Sequence, residues 1–400
     1  MSPTPYRLYL LDVSYFSGKL EGYFRWKEIP FERIEATWRQ INTQLLPHTG
    51  IARVPLVQTP DGTWLQDSTP IIDWLEQRFP DPPVVPTDPV HGYVARLLED
   101  YADEWLWRPA LHYRWSHAGD AQLLARRIVA ESLHDLPVPH SLLRLFIRRR
   151  QRRTYVTGDG VTRATRPHVE GIYLSVLDRL ERWLRDQPFV HGGRPGLADF
   201  GFFASMFRHF SLDPTPSRIM RERAPAVYAW VARLWNARAS RMRGDFSPPG
   251  AIPAVWREFV ADAGATYLPY LHANAIAWRD GRTRLDFSVQ GVTYRSVPAV
   301  HYRVWCRERL QDLFEAVPSA AKPDTQALLE SCGAWEPLWR DGIIRSGLHD
   351  GATPPMCRPA PHLRDRTQAL RDVWNPAPTS RRRPRGSRHP APQGTAAGAR

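Results

Sequence analysis

The apolar positions change period along this chain. Tyr6 to Val13 is a short, nearly continuous apolar run, which predicts a strand. Leu20, Tyr23, Phe24 and Lys27 then follow helical spacing, predicting a helix over 17–28. Ile29 to Ile34 predicts a second strand, and residues 36–46 predict a helix ended by Pro47. Val54-Pro55-Leu56-Val57 and Thr63-Trp64-Leu65 flank Pro60-Asp61-Gly62, the pattern of a hairpin. Ile71, Ile72, Trp74 and Leu75 carry a further helix over 68–79. Beyond the proline-rich stretch 80–89 the strand signals stop. Helical periods run over 91–117, 120–134, 168–187, 197–210 and 224–238, with 137–167 reading as an irregular insertion.

The order βαβαββα within the first 80 residues predicts an α/β thioredoxin-like domain, with helices covering a small mixed sheet. Residues 90–240 predict an all-α domain. Residues 244–375 form a mainly helical extension, with helices near 251–280, 298–316 and 324–332. A small hairpin is expected there, Arg284–Val289 with Val292–Ser296, turning at Gln290-Gly291. Residues 376–400, rich in Pro, Arg, Gly and Ala, read as disordered.

The chain has 400 residues, 42% of them hydrophobic and 24% charged, ample for a sizeable core. No run approaches the roughly 18 apolar residues of a membrane helix, and no basic start precedes a secretory core. A cytoplasmic location is the expectation. The formal charge of +13 comes almost wholly from arginine, since Lys19, Lys27 and Lys322 are the only lysines. Such a bias makes any single arginine weak evidence. Two clusters remain, Arg144 with Arg148–Arg153, and Arg381–Arg388 in the tail. Basic clusters attract nucleic acid or anionic surfaces. The tail lacks aromatics for base stacking, so nucleic acid is a weak expectation. Cys306, Cys332 and Cys357 form no CxxC pair, and His112 and His117 stand five apart, poor spacing for one helix face. No metal site is expected.

The N-terminal chemistry centres on two segments. Pro55 in a strand-like run belongs at an edge, and a cis Val54–Pro55 bond would turn the Val54 backbone outward. Asp67 and Ser68 sit where a helix exposes free N–H groups and its positive end. Together these suit a small, carboxylate-rich, peptide-like ligand. The second segment, Ser14-Tyr15-Phe16-Ser17-Gly18-Lys19, closes the first strand just before the first helix.

These segments resemble the glutathione S-transferase family. Ser14 falls where its serine or cysteine enzymes carry the catalytic residue, and Lys27-Glu28-Ile29-Pro30-Phe31-Glu32 is similar to a family segment in register with it. Phe189 to Phe200, with Gly192, Pro195, Ala198 and Asp199, resembles the C-terminal signature, in which the usual Ser or Thr cap is Gly196 here. The resemblance covers residues 6–238. It implies that Asp67 faces the ammonium and Ser68 the carboxylate of the γ-glutamyl group. It further implies that Val54, ahead of Pro55, pairs its backbone with the cysteinyl unit, and that Arg53 meets the glycine carboxylate. Tyr15 and Ser17 are rival hydroxyls to Ser14. Serine at both CxxC-equivalent positions leaves the ligand's own sulfur as the reactive one, disfavouring thiol–disulfide chemistry.

The implied activity is transfer of glutathione, as co-substrate, to a small apolar electrophile by a homodimer, in detoxification chemistry. The electrophile's cleft is expected along the first long helix, at Trp105, His112 and Tyr113. The alternative is a binding or scaffold protein that keeps the fold without turnover. No Pro follows Ser14, and the large extension is unaccounted for.

Overall fold

The computed structural model describes residues 4–50, 53–250 and 252–348. Its N-terminal unit has the predicted order. Strand β1 (Tyr6–Leu10) leads to α1 (Tyr15–Lys27), β2 (Phe31–Glu35), α2 (Trp38–Gln40), a π-turn at Ile41–Leu45 and α3 (Leu46–Thr49). Then come β3 (Leu56–Gln58), β4 (Trp64–Gln66) and α4 (Ser68–Glu76). The sheet order is β2-β1-β3-β4, with β1 parallel to β2 and antiparallel to β3. Tyr9 pairs with Leu56, and Leu56 pairs with Gln66. The end of β1, the start of β3 and the end of β4 therefore lie at one end of the sheet. Pro47 does not end the second helical segment. It follows the π-turn, inside a helix that continues to Gly50, at φ 70.

The helical domain comprises α5 (Pro89–Trp105), α6 (Trp107–Ser116), α7 (Ala118–Ser132), α8 (His140–Gln151), α9 (Arg166–Leu184), α10 (Leu197–Ser205), α11 (Pro214–Arg223) and α12 (Pro225–Asn236). The predicted helix over 91–117 breaks at Leu106. The expected irregular insertion is instead helical, because Leu143 and Ile147, four apart, bury one face of α8. That short apolar pair is hidden in sequence by six surrounding arginines.

The extension forms α13 (Ala254–Asp262), α14 (Leu268–Arg279), hairpin β5 (Arg284–Val289) with β6 (Val292–Pro298), α15 (His301–Glu315), α16 (Lys322–Ser331) and α17 (Trp335–Trp339). It packs on α5 and shares one continuous apolar core with both preceding units. A smaller cluster of Tyr9, Ala36, Leu45, Leu56 and Trp64 fills the other face of the sheet. Cys357, the cluster Arg381–Arg388 and the tail 376–400 lie outside the described residues.

Candidate active site

The common end of β1, β3 and β4 gathers the predicted residues. Ser14 caps α1, its Oγ accepting from the Ser17 amide at 3.3 Å. A cap of this kind satisfies one orphan N–H and leaves the hydroxyl proton available. Among the described residues no acceptor takes that proton, and Ser14 is partly exposed. Of its rivals, one has its proton in use and the other is buried. The Tyr15 hydroxyl donates to the Ala102 carbonyl at 2.8 Å, and burial holds it well above the usual phenol range. The buried Ser17 Oγ accepts from the Leu11 amide at 3.3 Å.

The helical domain pins the loop that carries Ser14. Arg114 pairs with buried Asp213 through two bonds of 2.7 and 3.0 Å and donates to the Val13 carbonyl at 2.6 Å. Glu131 accepts from the Val13 amide at 3.3 Å. Arg208 reaches Asp12 at 2.8 Å and Glu21 at 2.9 Å. The domains approach this closely because Gly18 lacks a side chain. A Cβ there would meet the Arg208 Cγ at 2.4 Å.

Val54–Pro55 is cis, and the β3 ladder begins only at Leu56, so Val54 lies outside it. Arg53 is exposed at the same end. Asp67 caps α4 from a left-handed backbone, φ 73, and accepts from the Thr69 amide at 3.4 Å, with Ser68 buried behind it. Burial pushes the Asp67 carboxyl up to about 6, partly offset by nearby Lys19. Tyr302, from α15, donates to Asp67 Oδ1 at 3.1 Å. No signal in the sequence linked these two. The same helix brings Cys306 close, although the cysteines are far from this motif in sequence. Burial and Asp100 keep its thiol well above the usual range, so it offers no thiolate.

Beneath the site, Lys19 is fully buried among Thr69 (3.0 Å), Glu99 and Asp103. It joins α1, α4 and α5, and so fixes both helix starts against the second domain. Arg309 of α15 extends this network, with bonds to Asp73 at 2.8 Å and Glu99 at 3.5 Å.

The three predicted cleft residues are all buried. Trp105 packs beneath Tyr267 and Tyr270 of the extension, and Tyr113 packs on Tyr173 and Phe210. His112 lies between Glu170 at 2.9 Å and Ser116 at 2.8 Å. The break at Leu106 turns Trp107 the other way. It stacks on Phe16 (6.0 Å, 13°) and meets Tyr155 edge-on at 5.7 Å. All three rings are partly exposed, and Phe16 is two residues from Ser14. The five-residue spacing of His112 and His117 does not separate them, because α6 ends at Ser116 and His117 takes an extended backbone. One nitrogen of each and a Glu170 oxygen lie within 4.8 Å of one another, a set with the composition of a metal site.

The second motif is structural. Asp199 accepts from the amides of Val190 (2.7 Å), His191 (3.2 Å) and Gly196 (2.9 Å), and from the Trp230 indole at 3.0 Å. The acceptor lost with a glycine cap is replaced by His191, whose Nε2 accepts from the Ala198 amide at 3.1 Å.

Residues 8–83 match the family model described as glutathione S-transferase, N-terminal domain, and residues 168–237 match glutathione S-transferase, C-terminal domain. Similar solved structures include a glutathione S-transferase from Methylobacterium radiotolerans in complex with glutathione sulfonate. It is 22% identical, covering 62% of this chain and 100% of that one, with a TM-score of 0.36. A glutathione S-transferase from Rhodospirillum rubrum is 18% identical over 64% of this chain and 99% of that one, TM-score 0.38. The β-etherase LigF from a Sphingobium strain is 21% identical over 57% and 94%, TM-score 0.40. The two domain matches, falling on the thioredoxin-like unit and on the helical unit that carries Asp199, support the glutathione S-transferase family for this chain.

Proposed function

We propose that this protein is a glutathione transferase that binds the tripeptide at the common end of β1, β3 and β4. The observation that carries this reading is the meeting there of three features. These are a serine hydroxyl at one helix start, an Asp-Ser pair at a second, and a residue outside the ladder ahead of Pro55. Asp67 takes the γ-glutamyl ammonium and Ser68 with the α4 amides takes its carboxylate. The Val54 backbone takes the cysteinyl unit, and Arg53 takes the glycine carboxylate. Ser14 donates to the sulfur. A donor and a positive helix end both favour thiolate over thiol, so the thiol proton leaves to solvent. The thiolate then forms a carbon–sulfur bond with an electrophile; in a substitution the leaving group departs with the bonding pair, and in an addition the displaced π pair takes up a proton from solvent. Phe16, Trp107 and Tyr155 offer apolar faces for that acceptor, next to Ser14.

One observation favours a second reading, binding without turnover. The extension already engages Asp67 through Tyr302 and covers Trp105. Calorimetric titration with glutathione, followed by a conjugation assay over a panel of aromatic electrophiles, separates the readings. Binding with turnover supports the transferase, binding alone supports the second reading, and a folded protein that does neither overturns both.

A further inference from the structure

Helix α8 carries a surface that the glutathione site does not use. Leu142, Leu145 and Phe146 are 57%, 43% and 37% exposed, at helical spacing that puts them on one face. The opposite face, Leu143 and Ile147, is buried and anchors the helix. Isolated exposed apolar side chains are ordinary, whereas three neighbours on one helix face are a patch. Leu123 and Val138, on α7 and on the turn before α8, are 38% exposed as well.

Within the segment that carries the patch the formal charge is positive alone. From Leu136 to Gly158 the sequence has six arginines and neither Asp nor Glu. Between α7 and α8 lies a cavity of about 200 Å³ lined by Gln122, Arg126, Ser141, Arg144, Leu145 and Arg148. Among the described residues, Arg126, Arg144 and Arg148 make no ion pair. The Arg144 Nε is buried and has no hydrogen-bond partner. Burying a guanidinium N–H without an acceptor is costly, and an oxyanion in the groove would supply that acceptor.

We propose that α8 docks this protein on an anionic phospholipid surface. Arg126, Arg144 and Arg148 hold a phosphate headgroup in the groove, while Leu142, Leu145 and Phe146 enter the apolar boundary. An amphipathic helix with one apolar face and basic flanks binds membranes in this way, without crossing them. Two of the three exposed apolar side chains are aliphatic. They favour acyl chains over nucleic-acid bases, which stack on aromatic rings.

The test is co-sedimentation of the full chain with phosphatidylcholine vesicles, with and without phosphatidylglycerol. Binding is expected only with the anionic lipid, and weaker in high salt. Each arginine near such a surface is worth about fivefold, so the triple variant Arg126→Gln, Arg144→Gln, Arg148→Gln binds about a hundredfold more weakly. The triple variant Leu142→Ser, Leu145→Ser, Phe146→Ser, its fold checked by an unchanged urea midpoint, also loses binding. Three outcomes overturn the proposal. One is indifference to phosphatidylglycerol. Another is inorganic phosphate filling the groove while the Leu/Phe variant sediments like the parent, which marks a site for soluble anions. The last is tighter binding to a duplex oligonucleotide than to the vesicles.

Discussion

The hydroxyl of Tyr302 donates to Oδ1 of Asp67 across 3.1 Å, joining residues 235 apart in the chain. The extension is thereby part of the glutathione pocket proposed above. Tyr302→Phe removes one donor to a carboxylate that burial already holds at about 6. Its carboxyl should then rise further, and glutathione affinity at neutral pH should fall about three- to tenfold, on the scale of one ordinary hydrogen bond. Equal affinity of Tyr302→Phe and parent by calorimetry would remove Tyr302 from the pocket.

The same carboxyl sets a pH dependence. The ligand's ammonium pairs with ionised Asp67 and gains nothing from the protonated acid. Affinity should therefore rise with pH through about 6 and level off above it. Asp67→Asn should bind weakly and without that rise. A rise of the same size in Asp67→Asn would assign it to another group.

Ser14 keeps its proton at a partly exposed position, whereas Tyr15 donates to Ala102 and Ser17 is buried. Ser14→Ala should lower kcat about a hundredfold, the scale for losing one donor to a developing anion, with a much smaller change in Kd. Tyr15→Phe should chiefly affect stability, because its hydroxyl holds the Ala102 carbonyl. If Ser14→Ala turns over like the parent, the sulfur's donor is another group.

Lys19 lies between Glu99 and Asp103 where all three side chains are buried, and Arg309 shares Glu99. Removing one partner of a buried ion pair leaves charge uncompensated. Lys19→Met should cost about 3–5 kcal/mol, read as a lower midpoint in urea. A midpoint within error of the parent would show that the carboxyls adjust by taking up protons.

His191 occupies the space that a cap side chain at Gly196 would fill. A Cβ at Gly196 would lie 2.4 Å from the imidazole Cγ and Cδ2. Restoring the usual serine should therefore destabilise, by about 1–3 kcal/mol, despite its better intrinsic capping. Thermal unfolding of Gly196→Ser checks this, and a rise in Tm would refute it.

The linear sequence carried the N-terminal half of this picture because the evidence there is local. Strand period, the hairpin turn and two helix starts are all read within a few residues. The same holds for the motif around Asp199, whose acceptor bonds span at most nine residues apart from that of Trp230. The cleft was harder. Trp105, His112 and Tyr113 share a helical period with Trp107, and only the break at Leu106 turns Trp107 to the Ser14 side. A one-residue change of direction leaves no trace in hydrophobic spacing.

By itself the sequence determined which residue types stand at helix starts, which neighbouring strands form a hairpin, and that serine replaces cysteine at both positions flanking the first turn. Those are properties of neighbours, governed by capping, periodicity and backbone chemistry. Tertiary structure alone decided which hydroxyl is left both exposed and with a free proton, and which aromatic rings lie near it. It also decided that α15 returns, more than two hundred residues later, to set Tyr302 against Asp67. Such choices depend on which distant surfaces bury one another, and burial is a property of the folded whole.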